Sequence, residues 1–160
     1  MKNYRITAQN KLLSSFKDLD KVLEMEETEI YNQISISVYN HWLTRDEGNK
    51  SFSRVSRIAH QRRRNRKHNN FYRALLKKMT IYGYEYIDYK DEFYFIKFNS
   101  LEDTLQYMSK GETNRFCIVI PKIRSILISG FDDTNHLYYQ NEKMMNKIKP
   151  LVKKAGLYMI

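Results

Sequence analysis

Residues 84–98 read YEYIDYKDEFYFIKF: two aromatic-rich runs, Tyr84–Tyr89 and Phe93–Phe98, joined by Lys90-Asp91-Glu92. Aromatic-rich alternation with a period of two marks strands, and a short polar connection between two such runs marks a hairpin. Upstream the apolar spacing is mainly helical, so this stretch is where the chain changes to β and the fold class becomes α+β.

Downstream, Ser100 and Asp103 form a capping box ahead of a helix containing Leu101, Leu105 and Met108, ended by Gly111. Phe116–Ile120 and Ile123–Ile128 make a second strand pair hinged at Pro121-Lys122. Asp133 or Thr134 is the expected cap of a final helix carrying Leu137, Met144, Ile148, Leu151 and Ala155, kinked or restarted at Pro150. Immediately upstream, Asn69 or Asn70 caps a helix with Phe71, Leu75, Leu76 and Met79, stopped by Gly83. The order α-β-β-α-β-β-α predicts a mainly antiparallel four-stranded sheet.

Further toward the N-terminus, Leu12, Phe16, Leu19 and Leu23 recur on one face of a helix over about residues 8–26. Ile30, Ile34, Val38 and Trp42 continue a helical stripe, although Ile34, Ile36 and Val38 also alternate as in a strand. The four-turn stripe favours helix. Asp46–Lys50, with Gly48, reads as a loop. Ser51 or Ser53 then caps a helix with the short stripe Phe52, Val55, Ile58 and Ala59. With the helix from Phe71, it outlines a loose helix-turn-helix. The chain divides into a helical segment 1–47, an arginine-rich segment 48–83 and an α+β scaffold 84–160, packed together as one domain.

The α-β-β-α-β-β-α order resembles that of LAGLIDADG homing-endonuclease modules. In that family the signature helix ends in an acidic metal ligand just before its glycine. Here the corresponding end reads Thr80-Ile81-Tyr82-Gly83, without a carboxylate. The resemblance therefore implies a scaffold that has lost metal-dependent cleavage and keeps binding.

Charge gives the functional lead. The chain of 160 residues has 28 Lys+Arg against 18 Asp+Glu, a formal net charge of +10. Residues 1–47 are net −2 and residues 85–160 net +1, whereas residues 48–84 hold eleven basic side chains and no acidic one. An excess confined to one quarter of the chain makes a focused positive field, suited to a polyanion. Seven of the eleven arginines fall between Arg54 and Arg73, so guanidinium geometry as well as charge is concentrated there.

On a helix, Arg54, Arg57, Gln61, Arg64 and His68 form one stripe, Arg62 and Arg66 an adjacent one, and Arg63 and Lys67 a third. Arginine forks bind phosphate bidentately or read guanine, while Gln61, Asn65 and Asn69 suit adenine edges. Arg57, Gln61, Arg62, Arg64 and Asn65 are therefore expected at base edges or phosphates. Arg54, Lys67, Arg73, Lys77 and Lys78 are expected along the backbone, with Arg63 and Arg66 completing the basic set. RRRNRK at 62–67 also resembles arginine-rich RNA-binding peptides.

Other classes find less support. Hydrophobic residues make up 42% of the chain, which excludes whole-chain disorder, and one cysteine, Cys117, excludes a disulfide framework. No run of about 18 apolar residues marks a transmembrane helix, and the start has no apolar signal-peptide core. A soluble, cytoplasmic protein is expected. Phe95 stands where a PD-(D/E)xK nuclease needs an acid before Lys97, and His68-Asn69-Asn70 lies between helical patterns rather than in a ββα metal context. The best acidic cluster, Asp132, Asp133, His136 and Glu142, reads first as helix capping and dipole complement. No cofactor or metal is expected.

The sequence thus predicts a non-catalytic nucleic-acid-binding protein, DNA before RNA, acting as a small regulator or repressor of phage or mobile-element type. Its β half would serve as scaffold or dimer surface. The alternative is an antidefence-type inhibitor of a host nucleic-acid machine, docking on a host protein through Glu24, Glu26, Glu27 and Glu29. A degenerate, magnesium-dependent nuclease built on Asp132 and Asp133 is the third.

Overall fold

The computed structural model describes residues 13–51, 54–87, 92–109, 116–130 and 133–160, except for the side chains of residues 13, 54–59, 86–87 and 92–93. Its centre is an antiparallel seven-stranded sheet. In chain order the strands are β1 (Asn32–Ser37), β2 (Tyr82–Ile87), β3 (Glu92–Lys97), β4 (Cys117–Ile120), β5 (Ser125–Ser129), β6 (Thr134–Tyr139) and β7 (Tyr158–Met159). Their spatial order is β3-β2-β4-β5-β6-β1-β7. The helices are α1 (Leu19–Leu23), α2 (Arg45–Ser51), α3 (Arg54–Leu76), α4 (Leu101–Ser109) and α5 (Met145–Ala155).

The α+β class stands, but the sheet has seven strands where four are expected. Two misassigned segments account for part of the difference. Ile34 and Ile36 lie in β1, which pairs with β6 on one side and β7 on the other, not in a helix. Burial against the helix layer selects the alternating pattern over the competing helical stripe. Likewise Thr134–Tyr139 is a strand between β5 and β1, not the start of the last helix. That helix begins only at Met145, after a 3-10 turn capped by Asn141, whose Oδ1 accepts from the Lys143 amide at 2.9 Å. Pro150 lies inside α5, which ends at Gly156 with φ 72. The extra strand between β5 and α5 departs from the expected seven-element order.

At the N-terminus, a 3-10 turn at Leu13–Ser15 and the five-residue α1 stand where one long helix is expected; residues 8–12 lie outside the described set. Asp46–Lys50 lies in α2 rather than a loop, and α3 ends at Leu76 with Gly83 inside β2 rather than at a helix stop, while other local signals hold. The 84–98 stretch forms the hairpin of β2 and β3, with Tyr84 opposite Phe95, although its turn lies outside the described residues. The Ser100 hydroxyl accepts from the Asp103 amide at 3.0 Å and starts α4.

Both sheet faces are covered, which explains why β4 is buried along its whole length. Ile118, Ile120, Leu127 and Leu137 face a core shared with Phe71, Leu75 and Leu76 of α3 and Ile148 and Val152 of α5. Cys117, Val119, Ile126, Ile128 and Tyr138 face Phe16, Leu19, Val22 and Tyr31 from the N-terminal segment.

Candidate nucleic-acid interface

The arginine-rich segment is one continuous helix, α3, of 23 residues and about 34 Å. The expected break at Asn69-Asn70 does not occur. Asparagine costs a helix only a few tenths of a kcal/mol, no Gly or Pro interrupts Arg54–Leu76, and tertiary anchors lie on both sides. Phe71, Tyr72, Leu75 and Leu76 are the C-terminal anchors.

The N-terminal anchors are polar. Arg64 and His68 continue the inward stripe at four-residue spacing and are 8% and 7% exposed. Arg64 Nε lies 2.9 Å from Asp133 Oδ2, and its Nη1 donates to the Tyr39 hydroxyl at 3.2 Å and the Ser51 carbonyl at 3.5 Å. His68 Nε2 donates to the Asp133 carbonyl at 3.0 Å. That bond fixes the tautomer, so His68 Nδ1 accepts from Asn135 Nδ2 at 2.9 Å. The same amide donates to the Tyr72 hydroxyl at 2.8 Å, and the His68 and Tyr72 rings stack with centroids 5.8 Å apart. Burial dominates the titration: it pushes His68 down to about 4 and raises the Tyr72 phenol. A neutral histidine and a charge-paired arginine thus clamp α3 to the turn and strand at 133–135.

The predicted set therefore divides. Arg62, Arg63, Asn65 and Arg66 are exposed, and Arg62, Arg63 and Arg66 form no ion pair among the described residues. Gln61 and Lys67 are half-buried, Gln61 toward the inward side and Lys67 beside Gly156 at the end of α5. Arg64 turns inward, away from the exposed row with which it was grouped. Arg73 is exposed and pairs with Glu102 at 2.8 Å. Lys77 and Lys78 are exposed just past the helix end. The side chains of Arg54 and Arg57, and the stripe Phe52, Val55, Ile58 and Ala59, lie outside the described residues.

Beside the inward stripe, a cleft of about 410 Å3 separates α3 from the segment after β1. His60, Arg63, Arg64 and Lys67 line it from α3; Val38, Tyr39 and Ser51 line it from the other wall. The chain between these wall residues is held by a reciprocal cap. Glu47 accepts from the Thr44 amide at 2.9 Å, the Thr44 hydroxyl at 2.8 Å and His41 Nε2 at 3.1 Å, while its own amide donates to Thr44 Oγ1 at 3.3 Å. The Thr44 amide, then the Thr44 hydroxyl and His41, hold the Glu47 carboxyl down at about 2.

The same segment carries Trp42, the sole tryptophan, 60% exposed. Its ring stacks on His136 with centroids 6.3 Å apart and planes 20° apart. His136 is held in turn by Gln33 Nε2 and Ser35 Oγ, each 3.0 Å from Nδ1. Gly130 makes this packing possible, because a Cβ there would stand 2.6 Å from His136 Nε2. The helical stripe assigned to Trp42 concealed its exposure; the better signal was a lone tryptophan in the polar run YNHWLTRDE at 39–47.

The acidic cluster is taken apart. Asp133 engages Arg64, His136 engages β1, and Glu142 is exposed at a 3-10 turn; Asp132 lies outside the described residues. Among the described residues no three His, Cys, Asp or Glu side chains come together as metal ligands. Cys117 is buried, and burial pushes its thiol well above the ordinary range. No described helix is long and apolar enough to cross a membrane. Comparison with protein-family models, curated proteins and solved structures gives no match.

Proposed function

We propose that this chain is a non-catalytic nucleic-acid-binding protein, DNA being the first candidate, that acts as a small regulator or repressor. The observation that carries the proposal is the unneutralised arginine row of α3, Arg62, Arg63 and Arg66, on a helix held rigidly against the sheet. Three guanidinium forks on a fixed helical surface offer bidentate phosphate contacts with little loss of order on binding. Lys67 and the cleft extend the positive surface to one side, and Lys77 and Lys78 continue it just past the helix end, whereas Arg73 is matched by Glu102. Arg64 and His68 serve by keeping α3 in place.

The test is binding of the purified protein to pooled duplex DNA, single-stranded DNA and structured RNA across a range of salt. Each neutralised phosphate releases counterion, so log K should fall linearly with log salt. A flat response, or no binding to any pool, overturns the proposal.

A second function rests on the acidic segment, where Glu24, Glu26, Glu27 and Glu29 are exposed. An inhibitor of a nucleic-acid machine would dock a protein there. One stoichiometric protein partner without affinity for random nucleic acid would favour it.

A further inference from the structure

We propose that the nucleic acid is bound as a single strand, with an unpaired base stacked on Trp42 and a phosphate further along the strand held in the cleft between α3 and the segment after β1. This rests on the nucleic-acid reading above and names the form of the partner.

The two half-sites share one piece of chain. Val38, Tyr39 and Ser51 line the cleft, and Trp42 follows Tyr39 by three residues. Three residues of extended chain span at most about 11 Å, and although the indole lies over His136 on the sheet face turned away from α3, a strand of a few nucleotides passing round the end of β1 reaches both.

The Trp42 ring is also preorganised. His136 backs it, Gln33 and Ser35 fix His136, and the Thr44–Glu47 cap closes the segment just beyond. A large indole left 60% exposed in a fixed orientation has apolar surface still to bury. A base does this through its π-face, and aromatic platforms beside cationic grooves are how single strands are held without sequence preference.

The cleft supplies the groove. Arg63 and Lys67 bring two cations, with the His60 ring and the Tyr39 hydroxyl beside them. Arg64 lines the same cleft with its charge matched by Asp133, so Arg63 and Lys67 carry the uncompensated charge. A duplex offers the phosphate but keeps both faces of each internal base stacked, so it cannot use the indole. The charge complementarity selects a polyanion, and the indole selects an unpaired one.

Trp42, as the sole tryptophan, reports directly on its own contact. The full chain is titrated with an oligothymidylate and with a duplex of equal length, following tryptophan emission and binding in parallel. The expected result is saturable quenching by the single strand and none by the duplex. Trp42→Ala should weaken single-strand binding by about 5- to 150-fold and leave duplex binding unchanged. Quenching of the unaltered protein decides the matter even if that variant folds poorly. Salt-sensitive binding of both probes with unchanged emission would overturn the single-strand proposal while leaving nucleic-acid binding intact. No salt-sensitive binding to either would overturn both.

Discussion

Arg63 and Arg64 are neighbours on one helix and border the same cleft, yet they differ in burial and in partners. Arg64 is 8% exposed, charge-paired to Asp133 and bonded to Tyr39 and Ser51; Arg63 is exposed and unpaired among the described residues. A helix turns 100° per residue, so adjacent arginines point in different directions. Composition gives both the same charge. What differs is the chain opposite, and only the outward arginine is left for a partner.

The comparison breaks most sharply at the ion pair. Asp133→Ala strands the Arg64 guanidinium beside the core, and losing one partner of a buried pair costs roughly 3–5 kcal/mol. Thermal unfolding of the variant should show a melting point lower by at least several degrees. Arg63→Ala should stay within about 0.5 kcal/mol of the parent. Equal losses in the two variants would erase the distinction.

Acid tests the inward face next. Burial lowers His68 from 6.5 unfolded to about 4 folded, so below 6.5 the unfolded chain binds the proton first. Its contribution is therefore fully present above pH 6.5 and is lost as pH falls toward 4, about 3 kcal/mol in all. Denaturant melts across this window should show that loss, and His68→Gln should flatten it. An unchanged slope in His68→Gln would place the acid sensitivity elsewhere.

Smaller effects sharpen the boundary. Tyr39→Phe removes an acceptor of Arg64 and should cost about 0.5–1.5 kcal/mol. Arg73→Ala loses only the exposed pair with Glu102, about 0–1 kcal/mol, readable by the same denaturant melts.

The same contrast explains what the sequence discloses. The β2–β3 hairpin, α4 behind Ser100, and the β4–β5 pair around Pro121 are legible because their signals are local. The strand β1 is not, because its partners lie far along the chain, Ile34 facing Leu137 for example. The strand β6 pairs with the adjacent β5, but Asp133-Thr134 at its start equally suits a helix cap. The site follows the same rule. The basic segment is legible as charge, but in sequence the stripe Arg54, Arg57, Gln61, Arg64 and His68 cannot be told apart from the basic rows beside it. With no apolar residue from His60 to Asn70, nothing local marks Arg64 and His68 as inward. Its partners, Asp133 and Asn135, lie more than 60 positions away. Trp42 was hidden by an apolar periodicity that the structure does not use.

The most direct measurement is the salt dependence of single-strand binding for the Arg62→Ala, Arg63→Ala, Arg66→Ala triple variant beside the parent. If these three side chains bind phosphate, the slope of log K against log salt should shrink by about two, with the melting point unchanged. An unchanged slope in a folded triple variant would contradict the assignment of the outward arginines to nucleic acid.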